Sequence, residues 1–504
     1  MSASPDVDLV DRDNRLILYG RWEKPTSTGL FGMDWRSTVF AGVLLIGNIV
    51  LFVVTGSLVT VAVTATLSVL ATAPLVVRID GRTGVEMMVL RGQYWWGKLR
   101  GENLFRGGVF GMVPGLGRMP GIAGDSRVYE YELRSGDRFA VIHFRAKNRF
   151  AVVFSIEPSG QERVEQWQIN EWVSGHADFL ARLGGLRGAV GAAVVVETVP
   201  DNRSRIRSEV RELVDPAAPA FAREVMAQTA LESAGAVVRA DVRLALTFRP
   251  LREAESSDVA DQAAEIGRRM ASLIETASSG GVEAMPMTAG QIALVATRGY
   301  NPELTAELEH IASAGHTDAV RWEAAGPVTG VNFWDRYEHN GYRSVTWEMA
   351  SPPPGTVPAN VLMPLLTPRA DLRRKRVAII YRVHSTAEAV KMVDSDFREA
   401  LAAEQSRKGV VSAAATIRVE NTGASRREQA MGAGLTRFGM LVTATAAPGD
   451  DLPAMRAEVQ GLGEASGNIT LRRCWGYQDA AFAGSLGIGI ILPEFATTSD
   501  KISA

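Results

Sequence analysis

The sequence predicts an α+β protein in which an amino-terminal two-helix transmembrane hairpin precedes two α+β modules in the cytoplasm. Three observations lead to this prediction. The forty residues from Thr38 to Val77 contain no Asp, Glu, Lys, Arg or His. After them, runs rich in β-branched and aromatic residues alternate with amphipathic runs of helical period. More than four hundred residues follow the apolar run, enough for two or three domains with cores of their own.

A turn containing glycine, Thr55-Gly56-Ser57, divides the apolar run into halves 38–55 and 57–77. Because a helix rises about 1.5 Å per residue, each half would span roughly 27 to 32 Å, enough to cross the hydrocarbon core of a bilayer. A buried hairpin inside a soluble protein is disfavoured, since core helices rarely stay uncharged on every face over this length. Asn48 is strongly polar, and we expect it to hydrogen-bond to the second helix, to contact another subunit, or to line a pore.

Positive charges on both flanks orient the hairpin, because basic residues favour the cytoplasmic side. We therefore predict a multi-pass plasma-membrane protein with both termini in the cytoplasm. The apolar run starts late and is twice the length of a signal-peptide core, which argues against a cleaved signal peptide. The flanking basic residues are Arg12, Arg15, Arg21, Lys24 and Arg36 before the hairpin and Arg78, Arg82, Arg91, Lys98, Arg100 and Arg106 after it.

Composition sets the remaining boundaries. Residues 107–124 contain seven Gly and two Pro, which is typical of a linker. Five segments are predicted: a cytoplasmic tail (1–36), the transmembrane hairpin (37–77), a juxtamembrane segment with the Gly/Pro-rich linker (78–126), a first cytoplasmic α+β module (127–325) and a second (326–497).

Each module is predicted to have the order strand, helix, strand, strand, helix, strand, which suggests two ferredoxin-like modules with mainly antiparallel sheets. The strands predicted in the first module are 139–145, 150–156, 190–199 and 237–248, and its helices are 162–183, 217–235 and 257–278. The strands predicted in the second module are 343–349, 376–383, 438–446 and one starting at Ile469, and its helices are 387–407 and 452–465.

Charge and cysteine content limit the function. The net charge is −2, so no overall field favours nucleic acid, and we do not expect direct nucleic-acid contact. Two basic clusters, 203–211 and 369–376, are interpreted as solvated flanks of a helix and a strand. The lone cysteine, Cys474, excludes an intramolecular disulfide framework and is interpreted as a packed residue of a strand.

Known catalytic and cofactor motifs are missing from the sequence. It contains no G-x-x-x-x-G-K-[ST] phosphate loop, no H-E-x-x-H zinc motif and no G-x-S-x-G nucleophile elbow. The glycines of 107–124 and 484–489 do not have the spacing of a phosphate or dinucleotide loop. His143 is interpreted as a residue of a strand surface. The sequence therefore predicts no catalytic, cofactor-binding or metal-binding residues and a protein that is not an enzyme.

An aromatic and basic group follows the hairpin and is the candidate interface with the membrane or with a partner. Tryptophan and tyrosine favour the headgroup region, and Lys and Arg favour anionic surfaces. Ordinary packing at the membrane surface is the alternative interpretation of the same group. The candidate residues are Tyr94, Trp95, Trp96, Lys98 and Arg100.

The order of several short motifs resembles a known family. These motifs are Leu18-Tyr19-Gly20-Arg21, Met119-Pro120-Gly121, Gly330-Val331-Asn332-Phe333, 434–446, 469–475 and 489–495. Together with the early hairpin, they resemble the large integral membrane proteins of actinobacterial conjugative elements, which are components of a type IV-like secretion machine. The resemblance covers nearly the whole chain.

This resemblance implies a fusion of two parts. The hairpin is similar to the small two-helix membrane subunit of conjugation systems, of the VirB3 or PrgI type. The cytoplasmic region looks like the amino-terminal, non-motor part of a VirB4-type ATPase. Such a fusion would be an oligomeric, non-enzymatic scaffold or adaptor without a cofactor. It would dock a separate VirB4-like ATPase and other membrane subunits of the machine at the bilayer.

The sequence leaves two alternatives open. The chain could be a membrane subunit of a type VII secretion apparatus, which also joins two amino-terminal helices to a cytoplasmic domain. It could also be a membrane-anchored enzyme whose site the sequence does not disclose.

Overall fold

The computed structural model describes residues 16–20, 35–108, 118–158, 164–201, 213–215, 217–232, 237–250, 258–384, 386–405, 413–430 and 436–496. These residues form two compact units. The larger unit contains the main β-sheet and draws on residues 16–20, 103–391 and 428–495. The smaller unit contains residues 35–102 and 392–427.

The helices of the described residues are numbered here in chain order. They are α1 (Trp35–Thr55), α2 (Leu58–Val76), α3 (Gly84–Leu99), α4 (Gln166–Gly185), α5 (Ala220–Glu232), α6 (Val259–Arg268), α7 (Met270–Ala277), α8 (Ala289–Tyr300), α9 (Thr305–Ser313), α10 (Met363–Leu366), α11 (Thr386–Gln405), α12 (Ala413–Ala430), α13 (Leu452–Ala465), α14 (Gln478–Ser485) and α15 (Leu492–Phe495).

The strands are numbered in the same way. They are β1 (Leu18–Gly20), β2 (Arg78–Ile79), β3 (Arg82–Thr83), β4 (Leu104–Arg106), β5 (Ser126–Glu132), β6 (Arg138–Phe144), β7 (Arg149–Pro158), β8 (Ala189–Asp201), β9 (Val237–Phe248), β10 (Val282–Pro286), β11 (Thr329–Asn332), β12 (Tyr337–His339), β13 (Tyr342–Ser351), β14 (Thr356–Pro358), β15 (Lys375–Val383), β16 (Thr436–Ala446) and β17 (Thr470–Arg473).

Helices α1 and α2 are the predicted hairpin. Each contains a stretch long and apolar enough to cross a bilayer, 38–55 in α1 and 58–76 in α2, and neither stretch is buried by the described part of the protein. The side chain of Ser57, in the turn, accepts a hydrogen bond from the backbone N–H of Thr60 and so caps α2. Surfaces this apolar are stable where lipid surrounds them, and the hairpin is therefore compatible with the predicted membrane location.

The mixed helix and sheet architecture is confirmed, but the separation into two modules is not. Thirteen strands join in one sheet, in the order β4-β11-β12-β13-β16-β15-β8-β9-β7-β6-β5, with β10 also paired to β7 and β17 to β13. The halves meet where β8 pairs antiparallel with β15, from Gly191 opposite Arg382 to Thr198 opposite Lys375. Pairing of β8 with β15 makes one continuous sheet out of what the sequence predicts as two.

The amino-terminal segment also joins the larger unit. Strand β1 pairs antiparallel with β14, with Leu18 opposite Pro358 and Gly20 opposite Thr356. At Gly20, an added Cβ would lie 2.3 Å from the carbonyl oxygen of Gly355, so the close approach of the two backbones requires glycine. The Leu-Tyr-Gly motif is therefore a pairing strand in the structure.

Helices cover both faces of the sheet. On one face, α4, α6 and α7 pack on strands of the first half, whereas α10 and α13 pack on strands of the second half. On the opposite face, one core extends over both halves and is covered by α8, α14 and residues 486–491. The predicted long helix 257–278 is two helices, because α6 ends at Arg268 and α7 starts at Met270.

The carboxy-terminal segment crosses the sheet as part of this shared core. Its side chains Leu486, Ile488, Ile490 and Ile491 are buried. The hydroxyl of Thr247 on β9 donates a hydrogen bond of 2.8 Å to the carbonyl oxygen of Gly489. Gly489 has a φ of 86°, and an added Cβ would lie 2.2 Å from the Cβ of Ala151, so this position requires glycine. The glycine-rich run 484–489 therefore serves packing.

A row of polar side chains crosses the same face. Asp241, Glu197, Arg376, Thr443 and Thr346 lie directly opposite one another on β9, β8, β15, β16 and β13. The hydroxyls of Thr443 and Thr346 are 2.9 Å apart. Glu197 and Arg376 face each other across the junction of β8 and β15, with Oε1 and Nη1 3.6 Å apart. The row thus ties the two halves of the sheet together.

Glu197 is the centre of this row and is 4 % exposed. Its Oε2 accepts hydrogen bonds of 2.8 Å from Arg243 and from Arg298, and its Oε1 lies 3.6 Å from Nη1 of Arg376. Burial by itself would raise the pKa of Glu197, but the three guanidinium groups outweigh it and hold the pKa well below its usual range. Glu197 is therefore ionised at neutral pH.

Replacing Glu197 by Gln should destabilise the protein strongly. Three buried guanidinium groups would lose their carboxylate, and breaking a buried ion pair from one side costs about 3 to 5 kcal/mol. The measurement is guanidinium-induced unfolding of the full-length protein in detergent micelles, followed by tryptophan fluorescence. The matched control is Glu275→Gln, because Glu275 pairs with Arg182 and its side chain is 73 % exposed. A loss below about 1 kcal/mol for Glu197→Gln would contradict the assigned role.

Candidate membrane and partner interface

Helix α3 starts immediately after the second apolar helix and is tied to its end. Thr83 caps α3 with a complete capping box, in which its side chain accepts from the N–H of Glu86 and its own N–H donates to the Glu86 carboxylate. The N–H of Gly84 donates to the carbonyl oxygen of Val77, at 2.8 Å. An added Cβ on Gly84 would lie 2.8 Å from the carbonyl oxygen of Pro74. These contacts fix the start of α3 at the end of α2.

One side of α3 is an exposed apolar stripe. Its members follow one another at helical spacing and fall within one face of the helix. They are Val85, Met88, Val89, Trp95, Trp96 and Leu99. A helix with one apolar face and a charged remainder is typical of segments that lie in the plane of the membrane interface.

The structure brings some of the predicted interface residues together and separates one. Trp95 and Trp96 lie on the stripe, with 62 % and 60 % of their surfaces exposed. The guanidinium carbon of Arg100 lies 5.0 Å from the ring centre of Trp96, in cation–π geometry. Lys98 is also exposed, but Tyr94 is half-buried and lies on a different side of α3 from the stripe. The exposed group is therefore Trp95, Trp96, Lys98 and Arg100.

Sequence reasoning expected the segment 78–108 to follow the membrane surface but did not predict a helix in it. The pattern Thr83-x-x-Glu86 before an apolar run was the available signal, since it is the sequence signature of a capping box. The exposed residues Met88 and Leu99 were missed for the same reason.

Asn48 joins the two helices of the hairpin. Its amide nitrogen donates to the hydroxyl of Ser68 at 2.8 Å and to the carbonyl oxygen of Leu44 at 2.8 Å. Its amide oxygen accepts a hydrogen bond of 2.7 Å from the hydroxyl of Thr64. Of the roles considered for Asn48, the structure thus shows hydrogen bonding to the second helix, which holds the pair together where lipid offers no alternative partner.

Helix α5 carries a second exposed apolar feature, in the larger unit. Phe221 and Val225 lie one turn apart on this helix and are both exposed. Helix α5 lies in the chain between β8 and β9. The corresponding connection in the second half, between β15 and β16, contains α11 and α12. Exposed aromatic and aliphatic side chains on one helix face are typical of contact sites for another protein.

A buried serine–histidine pair lies in the shared core. His339 Nδ1 is 2.7 Å from the carbonyl oxygen of Tyr300 and must donate to it, so Nε2 accepts from the hydroxyl of Ser344 at 2.8 Å. The Ser344 oxygen also lies 2.7 Å from the hydroxyl of Thr445. Both His339 and Ser344 are almost completely inaccessible. A substrate therefore has no path to this hydroxyl, and the pair serves structure.

Two interpretations of polar residues need correction. In the cluster 369–376, Arg369 pairs with Asp371 at the surface, but Lys375 and Arg376 are buried, so the cluster is not simply a solvated flank. His143 is buried on β6 and stacks on Phe150 with ring centres 4.5 Å apart, instead of lying on a strand surface. The physical reasons are local contacts: Nζ of Lys375 donates to the carbonyl oxygen of Thr367, and the ring of Phe150 on β7 covers the imidazole of His143.

The remaining predictions from the sequence concern the cysteine, a basic cluster and metal binding. Cys474 is buried, as expected of a packed residue. The basic cluster 203–211 lies outside the described residues. Among the residues that the structure describes, no group of three or more His, Cys, Asp or Glu side chains is arranged to hold a metal ion.

Comparison with known proteins gives one match. A family model described as Domain of unknown function (DUF8461) matches residues 26–86. This range contains both helices of the hairpin and the first residues of α3. No curated protein matches the chain. The membrane hairpin, with the turn that leads into α3, is therefore the part that the chain has in common with this family.

The exposed stripe of α3 should contact lipid in a reconstituted bilayer. We expect a bimane label at Leu99→Cys, on the stripe, to be quenched by lipids brominated near the headgroup at least twofold more strongly than a label at Gln93→Cys, on the polar side of α3. Both variants also carry Cys474→Ser, so that each protein has one thiol. Adding Trp95→Ser and Trp96→Ser should reduce the quenching at position 99, because the rings supply most of the buried apolar area. Equal quenching at the two positions would contradict an interfacial helix.

The buried His339 should make stability depend on pH. Burial lowers the pKa of His339 to about 3, far below its value of about 6.5 in an unfolded chain. Its contribution is therefore fully present above about pH 6.5 and is lost as the pH falls toward 3. Between pH 6 and 5, His339→Gln should reduce the slope of unfolding free energy against pH by about 1.4 kcal/mol per unit. The control is His316→Gln, an exposed position; an unchanged slope in His339→Gln would refute the assignment.

Proposed function

We propose that this protein is a non-enzymatic membrane scaffold of a type IV-like conjugative DNA-transfer or secretion machine, on which a separate ATPase docks. The observation that carries the proposal is the succession of the apolar helices α1 and α2 and the amphipathic helix α3, joined in one chain to a thirteen-stranded sheet unit. An anchor at the membrane and a large folded platform are the two parts that a scaffold needs. The plasma-membrane location with both termini in the cytoplasm belongs to this proposal.

The internal organisation of the platform supports the same proposal. Among the four consecutive strands β7 to β10 of the first half, the order β10-β7-β9-β8 places the fourth, first, third and second side by side. In the second half, β17-β13-β16-β15 repeats this order. It is the order of ferredoxin-like modules, and we infer two such modules fused along β8 and β15. A fused pair offers similar surfaces twice, which suits a docking platform.

The buried charges are consistent with a structural role. Glu197 and His339 have strongly shifted pKa values, which also occur at catalytic sites, but both side chains are enclosed and held by neighbours that belong to the core. Exposed apolar side chains lie instead on α3 and on α5. We propose that α3 contacts lipid and that α5, through Phe221 and Val225, contacts a protein of the machine.

The test is a mild-detergent pull-down of the tagged full-length protein from native membranes, with co-purifying chains identified by mass spectrometry. We expect a VirB4-like ATPase and a multi-span channel subunit. In the double variant Phe221→Ser, Val225→Ser, recovery of the ATPase should fall at least fivefold, because the apolar contact is lost. The control is Arg223→Ser, which changes an exposed residue on another side of the same helix.

The other outcomes decide between the alternatives. Recovery of type VII secretion subunits would replace the proposed machine by that apparatus. A monomer without partners, together with turnover of a nucleotide or ester substrate by the purified protein, would refute the scaffold and favour a membrane-anchored enzyme. Unchanged ATPase recovery in the α5 double variant would leave the machine in place but exclude α5 as its docking surface.

A further inference from the structure

A small pocket lies beside the polar row, on the face of the sheet that both halves share. Arg376 and Thr443 form its floor, with Arg374 and Thr445 at its rim, and α8 covers it with Arg298. The pocket has room for about one water-sized species. The rim residues Arg374 and Thr445 are partly exposed, so a small ion could exchange with solvent.

Several cationic nitrogens at this pocket have no partner among the described residues. Nε and Nη2 of Arg376 are buried there without a hydrogen bond, and so is Nε of Arg298. Arg376 is 4 % exposed, and its third nitrogen, Nη1, is 3.6 Å from Glu197. Its guanidinium carbon also lies 4.3 Å from the ring centre of Phe482, a weaker compensation. Buried guanidinium N–H groups that lack an acceptor are costly, which makes this pocket a receptor for negative charge.

The charged residues around the pocket also carry more positive than negative charge. This network contains five arginines and four carboxylates, and the members are Arg239, Arg243, Arg298, Arg374 and Arg376 with Glu197, Asp241, Glu303 and Glu309. The exposed Glu303 faces Arg374 from the neighbouring loop. Burial lowers the pKa of Arg376 to about 10. The nearby Arg243 and Arg298 also lower this pKa, whereas Glu197 raises it. Positive charge therefore exceeds negative charge around the pocket.

The carboxylate of Glu197 also lines the pocket, but its charge is balanced by three guanidinium groups. Arg243 and Arg298 donate to Oε2, and Arg376 lies next to Oε1. The space above Arg376 exists because position 299 is glycine, where an added Cβ would lie 2.8 Å from Nη1 of Arg376 and 2.5 Å from a methyl carbon of Leu486. Glycine at this position of α8 thus keeps the pocket open.

We propose that this pocket binds a single chloride ion between Arg298, Arg374 and Arg376. A chloride ion accepts hydrogen bonds from guanidinium groups without directional demands, and it is a small monatomic anion, although larger than a water molecule. It would supply the missing acceptor for the buried nitrogens and reduce the positive excess. The site lies at the junction of β8 and β15, so the bound ion also holds together the two halves of the sheet.

The test uses the full-length protein in micelles of an uncharged detergent and measures the ³⁵Cl NMR linewidth. A chloride ion that exchanges with a protein site broadens this signal. We expect excess broadening that bromide displaces and that phosphate, which is too large for the pocket, does not. Arg376→Gln and the milder Arg374→Gln should each reduce the excess broadening at least fivefold. The control is Arg182→Gln, since Arg182 is 54 % exposed and remote from the network.

A second measurement keeps the test valid if Arg376→Gln folds poorly. The wild-type protein should melt at a higher temperature in sodium chloride than in sodium gluconate of equal ionic strength, because a ligand that binds the folded state stabilises it. Arg374→Gln should lose this difference, and Arg182→Gln should keep it. Excess linewidth that persists in Arg374→Gln, displacement by phosphate, or equal melting temperatures of the wild type in the two salts would each overturn the proposal.

Discussion

The joined sheet depends on the ion pairs that the ionised carboxylate of Glu197 makes with three arginines. This carboxylate is reached by Arg243 from β9, Arg298 from α8 and Arg376 from β15, so elements of both halves converge on one buried charge. A charge in such a place is stable only while every partner is present. The same arrangement fixes the register of β8 against β15, because a shift by one residue would turn Glu197 to the other face. Electrostatics therefore specifies how the halves align, and the apolar packing on both faces adds stability.

Helices α1, α2 and α3 differ from the sheet in where their apolar residues lie. In α1 and α2 nearly the whole surface is apolar, and the polar group of Asn48 is satisfied inside the pair by Ser68 and Thr64. In α3, the exposed apolar residues occupy one side only. The exposed surface thus changes from apolar on all sides in α1 and α2 to apolar on one side in α3. Gly84 allows this change of environment, since it lets the start of α3 approach the end of α2.

Local patterns in the sequence predicted local structure well. Strand β9 and helix α13 have the predicted bounds, because their periodicity and end signals are clear. What depends on distant partners was not predicted. Nothing near Arg376 indicates burial, since its partner Glu197 lies far away in the chain, and pairing of β8 with β15 is equally non-local. Composition alone identified Trp95 and Trp96 as candidate interface residues. The sequence analysis did not predict α3, the helix on which they are exposed.

The path of the carboxy-terminal segment has a consequence for biosynthesis. Residues 486–491 complete the core that covers both halves of the sheet, and Gly489 packs directly against Ala151. A ribosome makes these residues after the apolar hairpin and after every strand of the sheet. Until then, the sheet face around Glu197 lacks one of its walls and remains open to water. If the hairpin enters the bilayer as proposed, the protein is anchored before this core is complete.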